Sequence, residues 1–331
     1  MRCLALAQAW QDAGGRACVS MAPGLPTLES RLKFEDIEVH HLGAALGTAR
    51  DAALTAELAR TYKASWVVVD GYHFDEQYRR HLKASGVRLL WFDDLGYTGR
   101  TFADVVLNYN AYAQESLYPA REAATRLLLG PPYVLLRREF LTWRDWTRQI
   151  PDVARKVLVT LGGSDPANAT RFVVQALHRL SLDGLTVRVL VGPGNPHYGA
   201  LQSMLAGAGA SMRLEQSATD LAALMAWADL AICGGGGTLW EAAFMGLPTC
   251  VLVLADHQVP GADALHQLGV AFNSGRFDAL DENGWALTLE ELVHDGARRR
   301  TMSRCGRMVT GGGNGARQVV EAMLEQEAGV R

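Results

Sequence analysis

The chain reads as an α/β protein of two Rossmann-like parallel-sheet domains facing a crevice. Short apolar runs such as Trp66–Asp70, Val157–Leu161, Leu230–Cys233 and Thr249–Leu254 recur along it, separated by stretches of helical spacing. This alternation predicts parallel strands covered on both faces. The scheme occurs once in each half of the sequence, and two strand ends in the second half run directly into glycine-rich turns.

Met1–Asp12 has the spacing of an amphipathic helix, with Leu4, Leu6 and Trp10 among small residues, and Gly14-Gly15 closes it. Strands follow at Arg16–Ser20, Trp66–Asp70, Val87–Phe92 and Asp104–Leu107, with helices at Asp51–Tyr62 and Asp75–Lys83. Pro131-Pro132-Tyr133 and the Trp/Arg-rich Glu139–Gln149 end this half, and Ile150–Val153 is the expected linker. In the second half the strands are Val157–Leu161, Val187–Val191, Arg213–Glu215, Leu230–Cys233 and Thr249–Leu254, with helices at Asn168–Arg179, His197–Leu205 and Ala218–Trp227. The expected domains are residues 1–150 and 154–310, with a C-terminal helix over 311–331.

At 331 residues and 49% hydrophobic composition the chain can bury two cores of ordinary size. A net charge of -3 and a pI near 6.3 give no reason to expect nucleic acid or an anionic membrane as partner. The basic run Arg298–Arg300 with Arg304 and Arg307 reads as the solvated face of a helix. Five cysteines, odd in number and without C-x-x-C spacing, read as buried thiols of a reducing cytoplasm and support neither disulfides nor a metal site. No apolar run is long enough to span a bilayer, and no export signal is visible, so a soluble cytoplasmic protein is expected.

Ala228–Val259 concentrates the chemistry. A buried strand runs into Gly234–Gly237, a helix follows from Thr238, Gly246-Leu247-Pro248 turns the chain, and a second strand ends in Asp256-His257-Gln258. Glycines permit positive φ and close approach of a ligand, while the helix behind them aims unpaired N–H groups and a positive dipole end at the same place. Gly235, Gly236, Gly237 and Thr238 therefore suit a diphosphate. Glu241, expected on the first turn, can accept paired hydrogen bonds from a ribose diol, or serve only as an acid favoured by the dipole. Asp256, His257 and Gln258 stand at a carboxyl strand edge, where such sheets bind ligands. A second turn, Gly162-Gly163-Ser164-Asp165 with Asn168, repeats the design, with Ser164 or Asp165 as N-cap and Pro166 at the first helical position. Two helix N-termini would face one ligand.

On Met1–Leu6, Asp70-Gly71-Tyr72, Phe92-Asp93-Asp94, Asn108–Asn110, Gly130–Phe140, Thr160–Thr170, Gly234–Gln258 and Gly313–Arg317, the sequence resembles the UDP-2,4-diacetamido-2,4,6-trideoxy-β-L-altropyranose hydrolase family of pseudaminic acid biosynthesis. That family and its spore-coat relatives are GT-B-like, and the second half also resembles the UDP-GlcNAc transferase that makes lipid II. The resemblance implies hydrolysis of a UDP-sugar at its anomeric carbon, with water as acceptor and without metal or cofactor. It matches Tyr72 to a tyrosine near the sugar, although an aromatic covering the sheet edge would look the same. His257 stands where the family commonly has asparagine. Tyr72 and His257 are the catalytic candidates.

The family begins with a strand and a loop ending in Gly-His, whose histidine is the presumed base, and MRCLAL is what normally comes next. A first strand, its loop and that histidine are thus expected upstream of Met1, with a gap in the first sheet of this chain. Two other functions fit the same donor site, a glycosyltransferase and a non-catalytic nucleotide-sugar-binding remnant.

Overall fold

A computed structural model of the chain describes residues 1–97, 99–180, 182–206, 211–216 and 220–328. Contacts divide it into unit 1, Met1–Arg138 with the segment from Asn314 onward, and unit 2, Glu139–Gly313. The division falls before the expected linker at Ile150–Val153, and the C-terminal helix returns to the first unit.

Unit 1 runs through α1 (Arg2–Asp12), β1 (Cys18–Ser20), α2 (Pro26–Phe34), β2 (Glu38–His40), α3 (Ala49–Thr61), β3 (Trp66–Val69), α4 (Glu76–Ala84), β4 (Arg88–Phe92), β5 (Val105–Asn108) and β6 (Arg126–Leu129). Local chemistry fixes the helix starts. The Thr48 hydroxyl accepts the Asp51 amide at 3.2 Å to cap α3, and the Asp75 carboxylate accepts the Tyr78 amide at 2.8 Å to cap α4. Leu89, Leu90, Val105, Val106 and Leu107 are fully buried, as continuous apolar runs in a sheet covered on both faces should be. Arg79 is buried with them, its guanidinium 3.8 Å from the Trp91 ring centroid and donating to the carbonyls of Thr101 and Phe74.

All strands of unit 1 pair in parallel, but in two sheets, β1-β2 and β3-β4-β5-β6. Among the described residues no ladder joins the two sheets. Short β2, β6 and the helix α2 are elements that spacing alone did not predict.

After a single helical turn, α5 (Arg138–Leu141), unit 2 is built from β7 (Lys156–Thr160), α6 (Ala169–His178), β8 (Thr186–Val191), α7 (Tyr198–Ala206), β9 (Met212–Gln216), α8 (Leu221–Trp227), β10 (Leu230–Gly234), α9 (Gly237–Phe244), β11 (Thr249–Val253), α10 (Val259–Gln267), β12 (Phe272–Arg276), α11 (Glu282–His294) and α12 (Gly296–Val309). The chain ends in α13 (Gly315–Ala328), which packs on α1 in unit 1. The expected start of α8 at Ala218 lies outside the described residues. The six strands of unit 2 form one sheet in the order β12-β11-β10-β7-β8-β9. Val157, Val159, Ile232, Cys250 and Leu252 are buried at its centre. Among the described residues no helix is long and apolar enough to cross a membrane.

One expectation about the basic run on α12 is overturned. Arg299 is fully buried and donates to the carbonyls of Leu292, Val293 and Asp152, so it ties the end of α11 to the start of the unit instead of facing solvent. The orphan carbonyls at a helix C-terminus supply the acceptors that make its burial tolerable.

Helix α12 also sets the position of α9. At Gly306 an added Cβ would stand 2.8 Å from the Ala243 carbonyl oxygen and 3.1 Å from the Ala243 Cα, both backbone atoms of α9. Glycine is needed there for close approach of two helices. Replacing a helical glycine by alanine ordinarily stabilises by about 1 kcal/mol. Gly306→Ala is expected to do the opposite, destabilising by about 1–3 kcal/mol through overpacking; denaturant unfolding checks the sign, and a gain in stability would show that α9 is not held this way.

Candidate functional site

Strand β10 lies between β7 and β11, with Cys233 paired to Thr160 on one side and Gly234 to Leu252 on the other. Its carboxyl end therefore meets the turn after β7 and the turn after β11 along one edge of one sheet. The structure brings Gly162–Asn168, Gly234–Glu241 and Asp256–Gln258 to that edge. Tyr72 belongs to unit 1.

Glycine use at the β10 turn differs from the expectation. Gly234–Gly237 are all outside the positive-φ region, and Gly236, the N-cap of α9, has φ -97° and ψ -161°. Their need for glycine is spatial. A Cβ at Gly234 would come within 3.0 Å of Leu254 Cδ1, and one at Gly235 within 3.0 Å of the Gln258 Cβ, whereas Gly236 and Gly237 face open space. Helix α9 begins there, and its N-cap residue, Gly236, has no side chain with which to cap the first amides. The helix N-terminus is thus accessible to an anion, as a diphosphate requires.

Gln258 builds this turn. Its side-chain oxygen accepts the Leu254 amide at 3.0 Å and the Gly235 amide at 3.3 Å, bridging the end of β11 to the glycine run. The oxygen is spent on positioning the turn. Asp256 is exposed and paired with Arg276 at the end of β12, which also binds Asp278 at 2.7 Å. Arg276 was missed by sequence reasoning because FNSGR has neither the apolar run nor the alternation of a strand. His257 sits exposed between Asp256 and Gln258.

Glu241 lies on the second turn of α9, not the first, and is only 7% exposed.

The turn after β7 is organised around its own carboxylate. Asp165 is buried, at φ 40°, and its two oxygens accept the Ala169 amide at 2.8 Å and the Thr170 amide at 2.9 Å. Asn168, at φ 54°, is the last residue before the helix. Helix α6 consequently starts three residues later than Pro166 suggested, and its positive end is already met by Asp165. The expectation of two open helix N-termini is corrected to one. Gly162, at φ 100°, makes the sharp exit from β7, and Gly163 and Ser164 remain exposed. The loop after β8, missed in the sequence, packs here: a Cβ on Gly192 would collide with the Gly163 carbonyl, and the His197 ring lies 3.1 Å from the Pro166 carbonyl oxygen.

Unit 1 gathers a second polar cluster where β3, β4 and β5 end. The Arg2 guanidinium, on the first turn of α1, donates to Asp70 at 2.6 Å and to Asp94 at 2.6 Å, 4.8 Å from the Phe92 ring centroid. Tyr72 donates to Asp94 at 3.0 Å, and Asn110 to the same carboxylate at 3.4 Å. Asp93 instead ties a loop, accepting the Gly96 amide at 2.9 Å and the Tyr118 hydroxyl at 2.7 Å. Partial burial, then the charge and hydrogen bond of Asp94, push the Tyr72 phenol above its ordinary value. It stays protonated at neutral pH. As a phenol it donates its hydrogen bond to Asp94.

Burial would lift the Asp70 carboxyl, but the hydrogen bond and charge of Arg2, with the Cys3 thiol, hold it below the ordinary carboxylate range. Its stabilising contribution is therefore complete above the unfolded value near ~3.9 and is lost only as pH falls through the lower folded value. Asp70→Asn is expected to cost about 1–2 kcal/mol at pH 7, where Arg2 loses a charged acceptor. In melting curves recorded from pH 7 to pH 2, the gap between the variant and the native chain should close below pH ~4; a gap of constant size would show that the pair is not the source.

With this geometry in hand, comparison with known proteins is informative. Residues 157–305, the body of unit 2, match the glycosyltransferase family 28 C-terminal domain. The chain is 26% identical over 244 residues to the spore coat polysaccharide biosynthesis protein SpsG of Bacillus subtilis, covering 72% of this chain and 71% of that protein. It is 33% identical over 178 residues to the UDP-N-acetylglucosamine–N-acetylmuramyl-(pentapeptide) pyrophosphoryl-undecaprenol N-acetylglucosamine transferase of Methylococcus capsulatus, covering 52% of this chain and 49% of that one. The matched region spans about half the length, or less, of most of the curated relatives. The crystal structure of Anabaena Alr3699/HepE in complex with UDP-glucose superposes with a TM-score of 0.64 at 14% identity, covering 99% of this chain and 95% of that one. That likeness shows the fold, which is GT-B-like with two Rossmann-like units.

Proposed function

We propose that the chain is a UDP-sugar hydrolase, cleaving the bond between the anomeric carbon and UDP with water as acceptor. The observation that carries this is the glycine entry to α9, where Gly236 and Gly237 face open space, with Glu241 on the same helix, inside the segment that matches the family 28 C-terminal domain. The α9 amides and dipole stabilise the diphosphate as it leaves, so bond cleavage needs no strong general acid. Glu241 accepts hydrogen bonds from the ribose diol. Gln258 holds the turn in shape, and Asp165, by satisfying α6, leaves α9 as the anion-binding end. Gly162, Gly163, Ser164 and Asn168 line the neighbouring turn. With Tyr72 held protonated, His257 on the same sheet edge is the candidate to aim or deprotonate water. The substrate implied by the resemblance to the pseudaminic acid hydrolases is a UDP-linked 2,4-diacetamido-2,4,6-trideoxy sugar.

A second reading, transfer of the sugar to an acceptor other than water, is favoured by the 33% identity to the M. capsulatus transferase. Incubating the protein with UDP-sugar in water alone distinguishes the two, since UDP release without acceptor is hydrolysis. Glu241→Ala is expected to weaken UDP binding by about 1.5–3 kcal/mol, the worth of hydrogen bonds to a charged group. Gly236→Val should abolish binding, because its side chain would fill the open space before α9. His257→Ala should keep UDP affinity and lower turnover. Calorimetric titration with UDP and a UDP-release assay read all three, and folded variants of Glu241 and Gly236 with native affinity would refute the site.

A further inference from the structure

The Trp/Arg-rich segment Glu139–Gln149 of unit 2 closes on α9 at the end opposite the glycine turn. Arg148 donates from Nε to the carbonyl of Met245 at 3.2 Å, from Nη2 to that of Met225 at 2.5 Å, and from Nη1 to that of Ala228. Met245 is the C-cap of α9, Ala228 is the C-cap of α8, and Met225 lies in the last turn of α8. One guanidinium thus closes the C-terminal ends of the helices that precede and follow β10. It lies 4.9 Å from the Trp146 ring centroid. Arg307 of α12 holds the same segment, donating to the carbonyl of Trp146 and, at 3.1 Å, to that of Arg144.

The last carbonyls of a helix carry the negative end of its dipole. Hydrogen bonds to them satisfy a guanidinium without neutralising it. Burial pushes Arg148 down from its ordinary value to about 10, against the charge of Asp229, so it is a cation at neutral pH. Helix α9 has 8 residues. At a rise of about 1.5 Å per residue its two ends are only about 12 Å apart. In so short a helix the negative end cancels part of the attraction that the positive end exerts on an anion. A cation seated on the negative end removes that cancellation and adds its own field along the helix. Over roughly 15 Å, at an effective dielectric constant of about 20 or somewhat more, this amounts to about two- to five-fold in affinity for each unit of ligand charge.

We propose that Arg148 is a positioning residue for the diphosphate: bound to the C-terminal carbonyls of α8 and α9, it fixes the far end of α9 and strengthens the field that the start of α9 presents to an anion. The inference rests on the UDP site of the proposed function. Arg148 acts through α9 and does not touch the ligand. Because the same guanidinium also holds α8, both helices flanking β10 are tied to one group, and the turn after β10 keeps its place between them.

The test titrates UDP and UMP calorimetrically into the native chain, into the charge-keeping variant Arg148→Lys and into two neutral variants, Arg148→Gln and Arg148→Met. Arg148→Gln keeps an amide donor for the carbonyls, so it separates loss of charge from loss of contact. In the neutral variants UDP should bind about 10-fold more weakly, and the preference for UDP over UMP, which differ by about one charge, should fall about two- to five-fold. Arg148→Lys should keep that preference within about two-fold of the native chain. A residue that only packs would weaken both nucleotides by one factor and leave their ratio native. A native ratio in the neutral variants, native UDP affinity in them, or a ratio in Arg148→Lys as low as theirs would each overturn the proposal and leave the UDP site standing. Failure of the native chain itself to bind UDP would refute the proposed function and this inference with it.

Discussion

Parallel pairing of β10 with β7 on one side and β11 on the other fixes where every candidate ligand group of unit 2 can stand. Parallel strands end together, so three turns are delivered to one edge, and their backbone groups, already used in the ladder, cannot drift. What differs between the turns is how each treats the helix behind it. After β7 the chain spends a buried carboxylate, Asp165, on the first amides of α6. After β10 the N-cap of α9 is a glycine, Gly236, and Gln258 ties the glycine run through the Gly235 amide. The electrostatic consequence for α6 is that a carboxylate from its own loop meets its positive end, whereas the proposed function assigns the start of α9 to a ligand.

Packing supports that choice. Gly306 lets α12 approach α9 backbone to backbone, and Gly246, at φ 59°, ends α9 with its amide on the Ala243 carbonyl at 3.0 Å. The anion site proposed there would be made of backbone amides with no side chain to adjust, so its precision would depend on how firmly the helix is held. Unit 1 uses a different device, a guanidinium shared by Asp70 and Asp94 with Tyr72 and Asn110 on the second carboxylate. Such a network orders a strand-end cluster and holds the Tyr72 phenol on Asp94.

Much of this architecture was legible in the sequence. The buried strands β4, β7, β10 and β11 announce themselves as apolar runs, because burial on both faces leaves few polar positions. Edge and short strands do not: Glu38–His40 and Phe272–Arg276 carry polar residues that periodicity cannot separate from loop. The glycine turn and Glu241 were visible, but the reason for the glycines was not, since close approach of Gln258 is a tertiary fact. Asp165 was the hardest to read. Ser164-Asp165-Pro166 looks like a cap followed by a first helical proline, yet the left-handed Asp165 and Asn168 insert a turn and let the carboxylate reach amides four and five residues on. Whether a carboxylate faces its own helix or a ligand depends on that extra turn, which local propensity does not encode.

The central claim is that α9, and not α6, receives the diphosphate. Backbone amide NMR of the protein titrated with UDP tests it most directly. The account predicts large shifts at Gly236, Gly237 and Thr238, with Ala169 and Thr170 unmoved on the carboxylate of Asp165. Shifts at Ala169 and Thr170, with the amides at the start of α9 unchanged, would contradict it.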